Sequence, residues 1–243
     1  MKKLAYTIHP QPNDTTCGPT ALHSIYRFWK KRDTLHEVIK SVTQFEKGGG
    51  TLGVILGRDA LEKGFKATLY TYNLNIFDPT WFGLEKEKII QKLILRLKKK
   101  GMGQKKKMAH QAYVDFLQLG GNLKFSDFSI DLILSYLKKG IPLLVGLSSS
   151  WLYQSSREDY LTSQDDDIKG DPAGHFVVLY GYDERKKSVF IADPYIKNPI
   201  RGGKQYYEMS FERLLTSILL GVMTFDGNIL VLEKVDCEKK YTY

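Results

Sequence analysis

The chain has 243 residues, 42% hydrophobic and 26% charged, with 36 Lys plus Arg against 27 Asp plus Glu and a net charge of +9. That balance excludes a disordered chain and allows a sizeable core without covalent staples. Two cysteines, Cys17 and Cys237, exclude a disulfide scaffold and a Cys-based zinc site.

The N-terminus "MKKLAYTIHPQPND" starts basic, but its apolar part is too short for a signal-peptide core. The late apolar run "ILLGVMTF" is far below membrane-spanning length. A cytoplasmic chain with no membrane span is expected. The positive charge is compatible with nucleic acid, an acidic surface or an acidic substrate, and names none of them.

In chain order, residues 18–31 read as a helix, with Leu22, Ile25, Tyr26 and Trp29 on one face. A second helix is expected at about 34–46. "EKGGGT" then breaks the pattern, and Thr51 is placed to cap a third helix that stops at Gly64. "FKATLYTYN" alternates like a strand. Residues 85–100 and 106–119 read as two helices joined by the Lys-rich tip 98–107, "KKKGMGQKKK", which is read as a solvated turn. A short helix at 129–139 precedes a buried strand, "GIPLLVGLSS". "HFVVLYGYD" and "SVFIADPY" form a hairpin across "DERKK". "SFERLLTSI" is a helix, and "GVMTFDGNILVLEKV" reads as a hairpin turning at Asp226-Gly227. Helices dominate the first half and antiparallel pairs the second. The expected class is α+β, in a single domain over 1–243 with a helical insertion at about 73–125.

Cys17 stands at the start of the first helix and not inside its apolar stripe. A helix N-terminus favours a thiolate, and so does a nearby imidazolium. Pro19 fits the first turn, where its missing N–H costs nothing. Attack on a carbonyl needs donors for the oxyanion. The Cys17 N–H supplies one, and Gln11, six positions earlier, supplies a second if the loop between Pro10, Pro12 and Cys17 folds back.

Of five histidines, His23 shares the Cys17 helix and points away from its start. His36 and His110 lie in charged helical surroundings and read as surface residues. His9 sits on the lead-in. His175 opens the most apolar strand of the chain, where a polar group suggests a site. If Tyr182 pairs with Ser188, Asp193 faces Val177, and His175 lies two positions further on the same face, a diagonal within reach. A carboxylate there orients the imidazole.

Gln11, the Cys17-Gly18-Pro19 helix start, "GHFVVLYGYD" and "IADPY" resemble the papain-like cysteine peptidase superfamily. Within it they are similar to the bacteriocin-processing peptidase domains, which cleave after double-glycine leaders, and to their free-standing relatives. "GGT" at 49–51 and "KKGIPLLVGL" fit the same branch. The resemblance runs from about residue 8 to 233 and is weakest at 73–125. It implies a two-lobe papain-like fold, with the helix bearing the nucleophile packed on a C-terminal antiparallel sheet. It implies Cys17 as nucleophile, His175 as base, Asp193 as orienting acid and Gln11 in the oxyanion hole. The substrate implied is a peptide or protein, with no metal or organic cofactor.

Three other readings use the same residues: acyl transfer on the same triad, a peptide-binding module without turnover, and nucleic-acid binding through the charge and the Lys-rich tip. The stretch at 158–171, within "SREDYLTSQDDDIKGD", reads as an exposed loop or a lid over the cleft. Cys237 reads as a spare thiol.

Overall fold

A segment apolar at nearly every position suits a strand covered on both faces. Residues 174–183 are such a segment, and in the computed structural model they form the strand around which the other elements gather. The structure describes residues 1–45, 50–159, 162 and 164–235. Gly49 of the "GGT" motif and Cys237 lie outside them.

The strands are β1 (Lys2–Lys3), β2 (Phe65–Thr71), β3 (Asn122–Lys124), β4 (Leu143–Ser148), β5 (Gly174–Asp183), β6 (Ser188–Ala192), β7 (Tyr206–Ser210) and β8 (Asn228–Lys234). The helices are α1 (Cys17–Phe28), α2 (Leu35–Ser41), α3 (Gly53–Glu62), α4 (Lys86–Leu97), α5 (Gln104–Gln118), α6 (Ile130–Lys138), α7 (Ser149–Tyr153) and α8 (Phe211–Leu220). One sheet runs β3-β2-β8-β4-β5-β6-β7, with β1 also paired to β5.

The Cys17 helix on a largely antiparallel sheet is the layout expected from sequence. Two features extend it. The sheet recruits β2 from the first half, antiparallel to β8, and β3 joins β2 in parallel. Helices also cover both faces. Leu144, Phe176, Val178 and Leu230 share one core with α1, α3 and α5. Val145, Val177, Leu179 and Val231 share the other with α6 and α8. Strand alternation sends neighbouring residues to these two cores, so β4, β5 and β8 are apolar on both faces and not at every second residue.

Local signals account for four of the eight helix starts among the described residues, α7 among them with Ser148 as its cap. Ser129 caps α6 and Ser210 caps α8 through their side chains, and Thr34 makes a capping box with Glu37 on α2. Thr51 does not cap α3. Leu52 holds that position, and the Thr51 hydroxyl donates to the Thr43 carbonyl instead. Helix α2 ends at Ser41, short of the expected 46. The expected hairpin at 221–235 does not form. Residues 221–224 make a 3-10 turn, and β8 pairs with β2 and β4, so these longer-range ladders override the Asp-Gly signal.

The β5–β6 hairpin pairs Asp183 with Ser188, one residue off the expected register. A bulge between Leu179 and Gly181 then shifts the ladder, so that Leu179 meets Ile191 and Val178 meets Ala192. The next step sets Val177 opposite Asp193. The expected facing pair is reached by a different route.

Residues 2–11 form a strap along the sheet. Lys2 and Lys3 pair with Tyr182 and Gly181, and the Leu4 N–H donates to the Tyr180 carbonyl at 2.8 Å. The Ile8 N–H donates to the Tyr206 hydroxyl at 2.9 Å, and the Gln11 N–H to the Pro194 carbonyl at 2.9 Å. Tyr6, buried, shares a 2.6 Å hydroxyl bond with Ser24 of α1. Among the described residues no helix is long and apolar enough to cross a membrane.

Candidate active site

Helix α1 begins without a side-chain cap and without an acid in its first turn. Thr16, at the N-cap position, turns its hydroxyl back to the Asn13 carbonyl at 3.0 Å. The first helical bond runs from the Thr20 N–H to the Thr16 carbonyl. Pro19 has no N–H, so the N–H groups of Cys17 and Gly18 have no intrahelical partner. They supply positive potential at the end of the helix where the Cys17 thiol sits. Gly18 lets this end approach the sheet. A Cβ there would lie 2.7 Å from Thr51 Cγ2 and 3.2 Å from the Phe176 ring.

His175 and Asp193 come from adjacent strands. His175 Nε2 bonds Asp193 Oδ1 at 2.8 Å, which leaves Nδ1 for the thiol. Burial pushes the His175 ring down. The Asp193 charge and Cys17, both as charges and as hydrogen-bond partners, outweigh it and raise the ring to about 10. Burial likewise pushes Asp193 up, but the His175 charge and its hydrogen-bond donors hold the carboxyl below its ordinary value.

Asp193 is fully buried and its oxygens are fully used. Oδ1 also accepts from the Tyr195 N–H at 2.9 Å, and Oδ2 accepts from the Tyr153 and Tyr207 hydroxyls, each at 2.7 Å. An ionised carboxylate deprived of water needs such donors. Burial first, then the Asp193 charge, raises both phenols well above their ordinary value, so they remain O–H donors. Neither tyrosine is legible as a site residue in the sequence. Tyr207 lies on β7, whose "YYEM" does alternate, and Tyr153 ends the five-residue α7.

Gln11 is held beside this group by its backbone bond to Pro194, the residue after Asp193. Its side-chain Nε2 donates to the Asn13 carbonyl at 3.0 Å, and its Oε1 is buried without a partner. Cys17 lines a cleft of about 190 Å³. Its walls include Gly174 and Phe176 of β5, Thr224 and Asp226 before β8, and Glu158, Asp159 and Asp171 of the acidic loop. The two ends of that loop meet, with Glu158 and Asp171 exchanging backbone hydrogen bonds at 3.0 and 2.9 Å. Lys105, from the Lys-rich tip, also reaches the cleft, over the rings of Phe45 and Phe225.

The remaining histidines lie elsewhere. His9 is exposed and bonds Arg27 at 2.7 Å, and its ring stacks on buried His23. His36 is exposed. His110 is not the surface residue expected. It is fully buried on α5, accepting from Arg96 Nε at 3.1 Å and bonding the Lys106 carbonyl at 2.7 Å. Its lysine neighbours concealed the buried face that it shares with Ala109, Tyr113 and Phe116.

Solved structures to which the chain is similar include the peptidase domain of Streptococcus ComA, a bi-functional ABC transporter involved in quorum sensing. Identity is 15%, over 95% of this chain and 99% of that one, with a TM-score of 0.44. A putative C39-like peptidase from Bacillus anthracis is 13% identical over 97% and 99% of the two chains, with a TM-score of 0.44. Xylellain, a cysteine protease from Xylella fastidiosa, is 18% identical over 95% and 84%, with a TM-score of 0.40. No protein with a curated description matches. The Peptidase_C39-like family matches residues 3–215, most of the sequence, and the chain belongs to that family.

Proposed function

We propose that the chain hydrolyses a peptide bond through Cys17, His175 and Asp193. His175 Nδ1 takes the thiol proton, and the sulfur attacks the substrate carbonyl. The Cys17 N–H and the Gln11 amide stabilise the oxyanion. The same imidazolium then gives its proton to the leaving amine, and water hydrolyses the resulting thioester with His175 again as base. Asp193 keeps the ring in one orientation and one tautomer and stabilises its cationic form. The observation that carries this reading is the buried 2.8 Å His175–Asp193 pair beside a thiol at an uncapped helix start.

The substrate is a peptide or protein that enters along the cleft beside Cys17. We read 1–243 as one papain-like unit in which 73–125 is an insertion that delivers Lys105 to the cleft wall. One N–H of the Gln11 amide donates to the Asn13 carbonyl, and the second is the donor offered to the oxyanion.

Labelling with a peptide-based thiol-reactive probe, mapped by mass, tests the assignment. Label is expected on Cys17, with turnover and label both absent in Cys17→Ala and both retained in Cys237→Ala. Turnover that persists in Cys17→Ala overturns the mechanism. An added amine nucleophile gives amide product if the second step is acyl transfer.

A further inference from the structure

The cleft runs against the charge of the whole molecule. The chain carries +9, yet among the described cleft-lining residues Asp14, Glu158, Asp159, Asp171 and Asp226 face a single lysine, Lys105. Asp14, Asp159 and Asp171 are exposed, and Glu158 is half-buried. Asp226 is different, because its side chain is 7% exposed. Oδ2 accepts from the Thr224 hydroxyl at 2.9 Å, and Oδ1 is buried with no hydrogen-bond partner. A buried carboxylate in that condition is unfavourable unless a cation meets it.

The surrounding backbone makes room for this group. Gly174 on β5 and Gly146 on β4 lie near it, and a Cβ on Gly174 would overlap the Asp226 carboxylate. A Cβ on Gly146 would overlap the Asp226 carbonyl. Phe225, the preceding residue, holds a left-handed φ of 72°, and Asn228 Nδ2 donates to the Asp226 carbonyl at 2.6 Å. Two side-chain-free positions and a fixed turn therefore set a charged group into the wall of the cleft, one residue from His175 across Gly174. An uncharged residue would serve the turn without the burial penalty.

Among the described residues no cation forms an ion pair with Asp226. Lys105 is exposed, lies over Phe45 and Phe225 at 5.5 and 5.2 Å, and acts on Asp226 through charge alone. Nor, among the described residues, do three or more His, Cys, Asp or Glu side chains converge as a metal ion would need. Lys105 and His175 act on Asp226 through charge without an ion pair among the described residues, so Oδ1 keeps an unmet demand for a cationic donor.

We propose that the cleft beside Cys17 selects peptides by a Lys or Arg side chain whose charged end meets Asp226, with the rim acids attracting it from solution. This rests on the reading of Cys17 as a peptidase nucleophile and names the substrate class of that site. Charge-assisted hydrogen bonds from an ammonium or guanidinium satisfy Oδ1.

The test uses matched fluorogenic peptides in which one position at a time, on either side of the cut, is Lys, Arg, norleucine or Glu. Each is made with a free and an acetylated N-terminus. At one position the Lys or Arg peptide is expected to exceed its norleucine match at least tenfold in kcat/KM. That ratio is expected to shrink with added salt and to fall at least fivefold in Asp226→Asn. Equal turnover of the cationic and neutral series by the wild type overturns the proposal, whatever the variant does. So does a ratio unchanged in folded Asp226→Asn, or a preference that follows the free N-terminus and not the side chain. Fluorescence anisotropy of the same peptides on Cys17→Ala separates the two readings. Cation-selective binding abolished by Asp226→Asn, with no peptide cut by the wild type, upholds the cleft assignment and removes the peptidase one. Cutting without cation selectivity does the reverse.

Discussion

Tyr153 and Tyr207 donate their hydroxyls to the same oxygen, Oδ2 of Asp193, each at 2.7 Å. One comes from the helix after β4 and the other from the strand beyond β6. The carboxylate is thus fixed by two elements that do not themselves carry Cys17 or His175.

Tyr207→Phe and Tyr153→Phe each leave half of that support. A hydrogen bond to a charged group contributes about 1.5–3 kcal/mol. Its loss is expected to move the acid limb of kcat/KM upward by about one to two pH units, because the donors lower the Asp193 pKa. The limb belongs to the coupled set and not to Asp193 alone. The double variant is expected to fall further than the product of the singles. A limb that stays in place while only Tm drops would reduce both tyrosines to packing.

The His175–Asp193 pair also sets a stability window. His175 is raised from 6.5 to about 10, so its contribution is complete below about 6.5 and is lost as pH climbs through about 10. Asp193 is lowered from 3.8, so its contribution is present above about 4 and disappears as pH falls below that. Wild-type Tm is expected to be highest between about 4 and 6.5 on these two groups and to decline toward 10. Asp193→Asn is expected to flatten both slopes in thermal scans across pH. Its turnover is expected to fall less than that of His175→Ala, since it orients and does not transfer the proton.

Gln11→Ala tests the oxyanion role. A donor that acts only on the developing charge costs about 3–4 kcal/mol when removed, so kcat is expected to drop about a hundredfold or more with KM little changed. Alkylation of Cys17 by iodoacetamide builds no oxyanion and is expected to keep its rate. Gln11→Glu is expected to be at least as damaging as Gln11→Ala. Parallel losses in alkylation and hydrolysis would assign Gln11 to the loop fold, where its bond to Asn13 already places it.

Asp226 leaves a signature in the resting protein. Burial raises its carboxyl from 3.8 to about 7, against the Thr224 hydrogen bond and the charges of Lys105 and His175. An acid whose folded pKa is raised favours the fold when protonated, so this group makes the wild type less stable as pH rises from about 4 to 7. Asp226→Asn removes that slope. Its Tm advantage over wild type is expected to widen by several degrees across this interval and to level off above it. A difference independent of pH would show that the carboxylate carries no burial penalty.

Much of this was legible in the chain. The apolar run from Phe176 to Tyr182 announced a central strand, and Cys17 ahead of Pro19 announced a helix start. The facing of Val177 and Asp193 was also foreseen, but through an assumed turn register. The turn itself is one residue off, and the bulge after Leu179 restores the phase. No local residue preference announces that bulge. It forms where β1 takes over beside β5, an arrangement set by residues far away in sequence. Asp226-Gly227 failed as a hairpin signal for a similar reason. Local turn chemistry competes with strand partners supplied by β2 and β4, and the longer ladders win. His110 shows that neighbours in sequence describe a helix poorly, because Lys105–Lys107 are exposed in the first turn of α5 and the same helix is buried at Ala109 and His110.

The strap of residues 2–11 gives the molecule an order of assembly in time. A chain made from its N-terminus presents Cys17 early, yet the strap that leads to it has nothing to hold until Tyr180, Pro194 and Tyr206 exist. The base assigned to the thiol arrives equally late. Closing contacts between positions 8 and 206 demands a long loop before any gain, so they form after the local helices. Under the proposed mechanism, the thiol gains its base and its strap only when synthesis has passed β7.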